Sequence, residues 1–301
     1  MTQANTILGL LAQTSIHAGT GSNTGVIDLP IQREGHNGYP CIFGSSMKGA
    51  LRTRAEAESS AESVKFVFGP DTNNASDHAG ALMVSDARLL LLPIRSLTSQ
   101  FKWVTCPAVL QRFKRDADRF GIKNCDFTIP ILKKNDDKTE FALAHKVPKK
   151  DKDIFLEEYR FEIQSDDLDL SGIAGFLAML MTHDDAKVAL EQQLVIVSND
   201  MFAHLCQHAT PVNAHIAIES ATKTVVGGAL WYEETLPPET LLYVGLSAVK
   251  ARAKDKNVAE FPANAILSAV TGMFDKQPWL QVGGNETVGM GWCAVKDLGG
   301  K

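Results

Sequence analysis

His17 and Asp28 bracket a loop of glycines and small polar residues, HAGTGSNTGVID, and each brings a group able to take part in chemistry. A carboxylate there can orient a divalent ion or a ribose 2'-hydroxyl, and imidazole is the side chain suited to proton transfer near neutral pH. Spacing alone leaves a second reading open, in which Asp28 caps a turn and His17 closes a strand.

A second candidate is the helix start GSSMKGALR, where Ser45 and Ser46 stand at the first turn and Lys48 follows. Free N–H groups and the positive end of a helix dipole suit phosphate oxygens, and a lysine there opposes the dipole unless an anion is nearby. Ser45 or Ser46 is expected as the N-cap, with Met47, Ala50, Leu51 and Ala55 forming the buried stripe. Lys48 and Arg52 then share one face, with Arg54 adding to a run that holds no acid. An ordinary capped amphipathic helix would read the same way.

Near the C-terminus, GGNETVGMG places Gly283, Gly284, Gly289 and Gly291 where backbone could approach a ligand closely or form an anion nest. It is not a P-loop, lacking the Lys-Ser/Thr pair, nor a dinucleotide fingerprint, lacking a following helix, so nucleotide hydrolysis is not expected. Thr222, Lys223, Val225, Val226, Trp231 and Tyr232 gather where a hairpin is expected, and such side chains could wedge between bases or sit in a core. HLCQH offers His204, Cys206 and His208, but that spacing matches no structural zinc site.

The elements that position these groups follow from periodicity and punctuation. Alternation from Thr6 to His17 predicts a strand that breaks into the glycine loop, and VIDLPIQRE, with Pro30, predicts an edge or irregular piece. ALMVSDARLLLLPIRS reads as a strand, 129–159 as a charge-dense exposed insertion, and Gly172–Met181 as a short buried helix. A long hairpin is expected over 211–237, turning around Val226-Gly227-Gly228. Then come the strand YVGLSAV, a helix in AEFPANAILSAVTGMF, and a strand, glycine loop and strand in LQVGGNETVGMGWCAV. Interleaved strands and helices with antiparallel hairpins predict an α+β fold with a ferredoxin-like, RRM-like core.

With 301 residues, 45 % of them hydrophobic, the chain can bury a full core. The five cysteines are scattered with no C-x-x-C, as expected of reduced thiols, and the N-terminal stretch carries neither a basic signal region nor a membrane span, so a cytoplasmic protein is expected. A net charge of −5 argues against general phosphate affinity, yet two basic islands, 44–54 and 95–120, interrupt the acidic chain.

In order along the chain, SIHAGTGSNTGVIDLPIQRE, GSSMKGALR, SDARLLLLPIRS, ALWYEETLP and GGNETVGMGW resemble the RAMP superfamily of CRISPR proteins, most nearly the backbone RNase subunit of the type III-B Cmr complex. The type III-A counterpart fits LPIQRE and GGNETVG less well. The resemblance implies one RRM-like domain over 1–301, with an insertion at about 100–165 and a β-hairpin thumb at about 205–240. It implies copies joined head-to-tail with other Cmr subunits along a crRNA, cutting complementary target RNA at regular intervals, with no membrane partner. It makes Asp28 the catalytic aspartate and ligand of a divalent ion, Mg2+ or Mn2+, and His17 the matching histidine, either acid–base or structural. It gives Ser45, Ser46, Lys48 and Arg52 to guide phosphates, while Met290 replaces a basic residue frequent in the family and weakens the glycine loop as a phosphate contact. Two alternatives stay open: a guide-binding subunit that does not cut, and a stand-alone, metal-independent crRNA-processing endoribonuclease that depends on His17.

Overall fold

The structure, a computed structural model, describes residues 3–70, 78–97, 99–123, 125–133, 139–145, 152–165, 168–252 and 261–300. Its first strand, β1 (Ala4–Ala12), is buried on both faces along nearly its whole length. Such two-sided burial explains the almost unbroken apolar run ILGLLA. After the short β2 (Cys41–Ile42) comes α1 (Gly44–Glu58), which buries Met47, Leu51 and Ala55 at the spacing of one helical face. Then follow α2 (Ala61–Phe68), β3 (Leu82–Val84) and β4 (Ala87–Arg95); Ser85 and Asp86 divide what reads in sequence as one strand.

Later in the chain come β12 (Leu241–Ala248), α7 (Ala263–Thr271), β13 (Trp279–Gln281) and β14 (Trp292–Asp297). The neighbours β14-β1-β12-β4 are all antiparallel. Numbered by sequence these four strands lie in the order 4-1-3-2, with α1 after the first and α7 after the third. This is the β-α-β-β-α-β arrangement of a ferredoxin-like palm, as expected.

Between β4 and β12 the chain adds β5 (Phe101–Thr105), α3 (Pro107–Arg119), β6 (Glu140–Ala144), β7 (Asp153–Leu156), β8 (Tyr159–Ile163), α4 (Ser171–Ala178), α5 (Ala186–Gln193), β9 (Leu194–Ile196) and α6 (Asn199–His208). The stretch 129–159 is therefore not simply an exposed excursion. Its strands continue the sheet in the order β4-β5-β9-β6-β8-β7, and Ala142, Leu143, Ile154 and Leu156 are buried. Parts of this stretch lie outside the described residues.

The predicted hairpin exists as a separate two-stranded ribbon, β10 (Val212–Ile218) and β11 (Val225–Glu234). Its turn is at Glu219–Thr224, where Glu219 and Lys223 close on each other, and not at Val226-Gly227-Gly228. Those glycines lie within β11 opposite a register shift between Ile216 and Ile218, and Gly228 has φ +77°. A glycine with positive φ serves a bulge as well as a turn, so the residue type could not choose between them. No helix among the described residues is long and apolar enough to cross a membrane.

Candidate nucleic-acid interface

Three segments far apart in sequence meet at the root of the hairpin. Residues 13–17 continue beyond β1, which ends at Ala12, so His17 does not close that strand. Ile16 exchanges backbone hydrogen bonds with Leu236 on one side, while on the other Gly291 N–H donates to Ser15 O at 2.8 Å. The segment is thus threaded between the hairpin root and the glycine loop.

His17 sits in that crease with its side chain only 11 % exposed. Its Nδ1 lies 2.8 Å from the carbonyl oxygen of Glu234. A carbonyl can only accept, so in the neutral ring Nδ1 carries the proton and Nε2 keeps its lone pair. Gly284 N–H donates to the carbonyl of His17 at 2.8 Å, and a side chain on Gly283 would begin 2.4 Å from that same oxygen. The close approach expected of the glycine loop is therefore an approach to His17. Asn285 Nδ2 donates to Glu233 Oε1 at 2.6 Å, tying the loop to the hairpin.

Asp28 is half-exposed and faces β11. Its Oδ2 accepts the backbone N–H of Tyr232 at 2.8 Å, and its other carboxylate oxygen takes no bond from the described residues. Its backbone carbonyl accepts from Asn23 N–H, so the residue also organises the loop as the turn reading supposed. Leu29 N–H donates to Tyr232 O and Glu234 N–H to Leu29 O, which zips the Asp28 loop to the hairpin as an irregular edge.

Among the described residues no three His, Cys, Asp or Glu side chains gather to hold a metal ion. Asp28 supplies a single free oxygen. That donor set matches an ion of the Mg2+ kind, bound by one carboxylate with phosphate oxygens and water completing its shell, and does not match a protein-built cage.

The helix start differs from expectation. Phe43 is the N-cap of α1 and gives no side-chain cap; Asp86, from the turn before β4, accepts Gly44 N–H at 2.7 Å. Gln32 Oε1 accepts Phe43 N–H at 2.6 Å, and its Nε2 donates to Gly19 O and Ser46 Oγ. The chain thus brings its own carboxylate to the dipole. The N–H groups of exposed Ser45 and half-buried Ser46 remain without a described partner.

The basic residues of α1 are engaged with the fold. Lys48 Nζ reaches Leu82 O at 3.3 Å, and burial, then the neighbouring Arg52, pulls its pKa below the ordinary lysine range. Arg52 pairs with Glu56 and the carbonyls of Gly69 and Pro70. Arg54 is a strut, donating to the carbonyls of Trp279, Met273 and Gln277, pairing with Glu58, and lying over the ring of Phe274. Between α1 and the glycine loop lies a cleft of about 800 Å3, lined by Gly19, Gln32, Ser46, Trp279, Gly283 and Trp292. Gly289 and Gly291 shape the far side of the loop, where Met290 N–H folds back to Asn285 O.

On the hairpin, Thr222 and Lys223 form the tip and Val225 is 55 % exposed at the start of β11. Trp231 stacks on His215 across the ribbon, with centroids 5.5 Å apart and planes 15° off parallel. Tyr232 presents its ring on the opposite face, 42 % exposed. His204, Cys206 and His208 lie on α6; Cys206 is buried, and His204 instead pairs with the hydroxyl of Tyr159. Sequence reasoning missed Gln32, Glu233, Glu234 and Asn285. Their only signal was polarity inside motifs noticed for other residues.

The sequence profile of the RAMP superfamily matches residues 10–294. A Cmr endoribonuclease of Pyrococcus furiosus, Cmr4, is 38 % identical over 292 residues, covering 96 % of this chain and 94 % of its own. The crystal structure of oligomeric Cmr4 from the same organism superposes with a TM-score of 0.73 at 31 % identity, covering 98 % of each chain. A chain of the type III-B Cmr-beta complex bound to cognate target RNA shares the fold with a TM-score of 0.70 at 21 % identity, over 98 % of this chain and 97 % of that one.

Proposed function

The chain belongs to the RAMP superfamily, and from that premise we propose that it is a backbone subunit of a type III-B Cmr ribonucleoprotein, an endoribonuclease that binds crRNA and cleaves the paired target RNA. Its partners are crRNA, target RNA, further copies of itself and other Cmr subunits, and it works in the cytoplasm. The end-to-end likeness to a Cmr endoribonuclease carries this reading. The full-length match leaves room for the palm, the hairpin and the glycine loop alike.

Cleavage is assigned to the crease at the hairpin root. The Asp28 carboxylate, with one oxygen pinned by Tyr232 N–H and the other open, is placed to orient the attacking 2'-hydroxyl or a divalent ion, Mg2+ or Mn2+. When bound, the ion supplies a Lewis acid for the phosphate oxygens. His17, with its Nε2 lone pair free of the carbonyl contact, supplies an acceptor on the same side of the hairpin root. The hairpin serves as the thumb, with Thr222, Lys223, Val225, Trp231 and Tyr232 splaying the duplex so that the backbone reaches in-line geometry. Guide RNA lies along the Ser45–Ser46 helix start and the glycine loop, with Lys48 and Arg52 beside it. Arg54 acts by bracing the cleft wall, because its Nη1 and Nη2 donors are taken by carbonyls.

The decisive experiment reconstitutes the complex with guide and labelled target RNA and compares wild type with Asp28→Asn, with and without Mg2+. Loss of the product ladder in the variant is expected. Equal ladders would remove Asp28 from the chemistry and favour a subunit that binds without cutting. Undiminished cutting in EDTA would remove the metal.

A further inference from the structure

Glu234 is a carboxylate the proposed chemistry does not use, and it is among the most buried charged groups described, with a side chain 3 % exposed. Three donors converge on it. Arg33 Nη2 reaches Oε1 at 2.5 Å, Thr210 Oγ1 reaches the same oxygen at 2.6 Å, and Ile31 N–H reaches Oε2 at 3.1 Å. Its main chain is equally occupied. The N–H donates to Leu29 O at 3.0 Å, and the carbonyl accepts from His17 Nδ1 at 2.8 Å.

Stability alone does not account for this arrangement. A buried ion pair recovers its desolvation cost at best narrowly, and apolar residues of the same volume stabilise a fold as well or better. Direction is what distinguishes the contacts of Glu234. Leu29 and Ile31 follow Asp28 along one short extended segment, and Tyr232, two residues earlier in β11, holds the Asp28 carboxylate itself. Arg33, in the same segment, extends the network to the carbonyls of Gly38 and Cys206, both at 2.8 Å. The anchor therefore runs from the loop through Glu234 to α6, a rigid helix of the body.

We infer that Glu234 is a positioning residue for RNA cleavage, whose side chain locks the Asp28 loop to the hairpin root while its carbonyl fixes which nitrogen of His17 carries the proton. The inference rests on the assignment of Asp28 proposed above. Glu234 touches no substrate in this scheme and acts through other residues. Releasing its side chain frees residues 29–33 to drift, and a catalytic group displaced by about 1 Å loses on the order of tenfold or more in rate.

The test uses the assembled complex with guide and labelled target RNA, reading single-turnover cleavage beside target affinity. Glu234→Gln keeps the shape, but turns an amide N–H2 or a neutral oxygen toward Arg33. Thr210→Val is milder, removing one donor and leaving the ion pair. The expected result is a cleavage rate about tenfold lower for Glu234→Gln and about threefold lower for Thr210→Val, with target affinity and assembly unchanged. If Glu234→Gln does not assemble, Thr210→Val decides. A Thr210→Val complex that cuts at the wild-type rate overturns the inference, and so does a rate loss matched by an equal loss of affinity, which would mark a general loosening. Asp28→Asn is run alongside. If that variant cuts normally, the fault lies with the assignment of Asp28; if it is dead while both other variants cut normally, the fault lies with Glu234.

Discussion

Gly283→Ala isolates the contact between the glycine loop and His17. The new Cβ would start 2.4 Å from the His17 carbonyl oxygen and 2.8 Å from its carbon, whereas ordinary contact begins near 3.4 Å, so the loop must retreat by about 1 Å. That retreat lengthens the 2.8 Å bond from Gly284 N–H to the same oxygen beyond hydrogen-bonding range, a loss of about 1 kcal/mol. The φ of +83° adds about 1–2 kcal/mol for any residue with a side chain. Gly289 supplies the control, because it has the same φ of +83° and nothing within 4 Å of its would-be Cβ. Gly289→Ala should therefore show the backbone cost alone, about 2–4 °C in Tm for a chain of this size, and Gly283→Ala about 4–6 °C. In the assembled complex, Gly283→Ala should also cut target RNA on the order of tenfold more slowly, since His17 moves with its carbonyl. Thermal melts and single-turnover cleavage of both variants settle it. Matching behaviour of the two would refute the claim that this loop positions His17.

Trp231→Ala removes the stack on His215 and should cost the thumb about 0.5–1.5 kcal/mol of local order, read as faster amide exchange in β10 and β11 with the palm unaffected; unchanged exchange would show that the stack does not hold the ribbon. Lys48→Met should lower the slope of log affinity against log salt for guide RNA by about 0.7, the share of one phosphate contact, and an unchanged slope would return Lys48 to a purely structural bond with Leu82. Alkaline unfolding offers a check independent of RNA. Burial pushes the thiols of Cys41 and Cys293 up to about 12, above their unfolded values, so their stabilising contribution is intact below about pH 8.5 and is lost as pH rises toward 12. Together they should make stability fall by about 3 kcal/mol per pH unit between pH 9 and 11 beyond other effects, and Cys293→Ala should remove about half of that slope in urea titrations. An unaltered slope in the variant would refute it.

Much of the palm was legible because its information is local. The run ILGLLA, the stripe Met47-Leu51-Ala55 and the pair of strands around GGNETVGMG each carry their own periodicity or punctuation. The hairpin was legible in extent but not in its turn, since Gly227 and Gly228 fit a bulge as well as a corner and the Glu219–Thr224 tip has no strong turn signature. The sequence points to Ser45 or Ser46 as the N-cap of α1, whereas the structure has Phe43 there, for a different reason. The acceptor that satisfies the helix start is Asp86, which arrives from the turn between β3 and β4.

The sequence by itself determined the class of fold, the candidate chemistry of Asp28 and His17, and the likeness that makes RNA the expected partner. Only the tertiary structure decided what those two residues are held by. Asp28 is fixed by the backbone N–H of Tyr232 and His17 by the backbone carbonyl of Glu234, and every non-proline residue carries those same groups. A bond to a main-chain group from more than two hundred positions away leaves no mark in residue type or spacing, so it emerges only once the strands have been brought together.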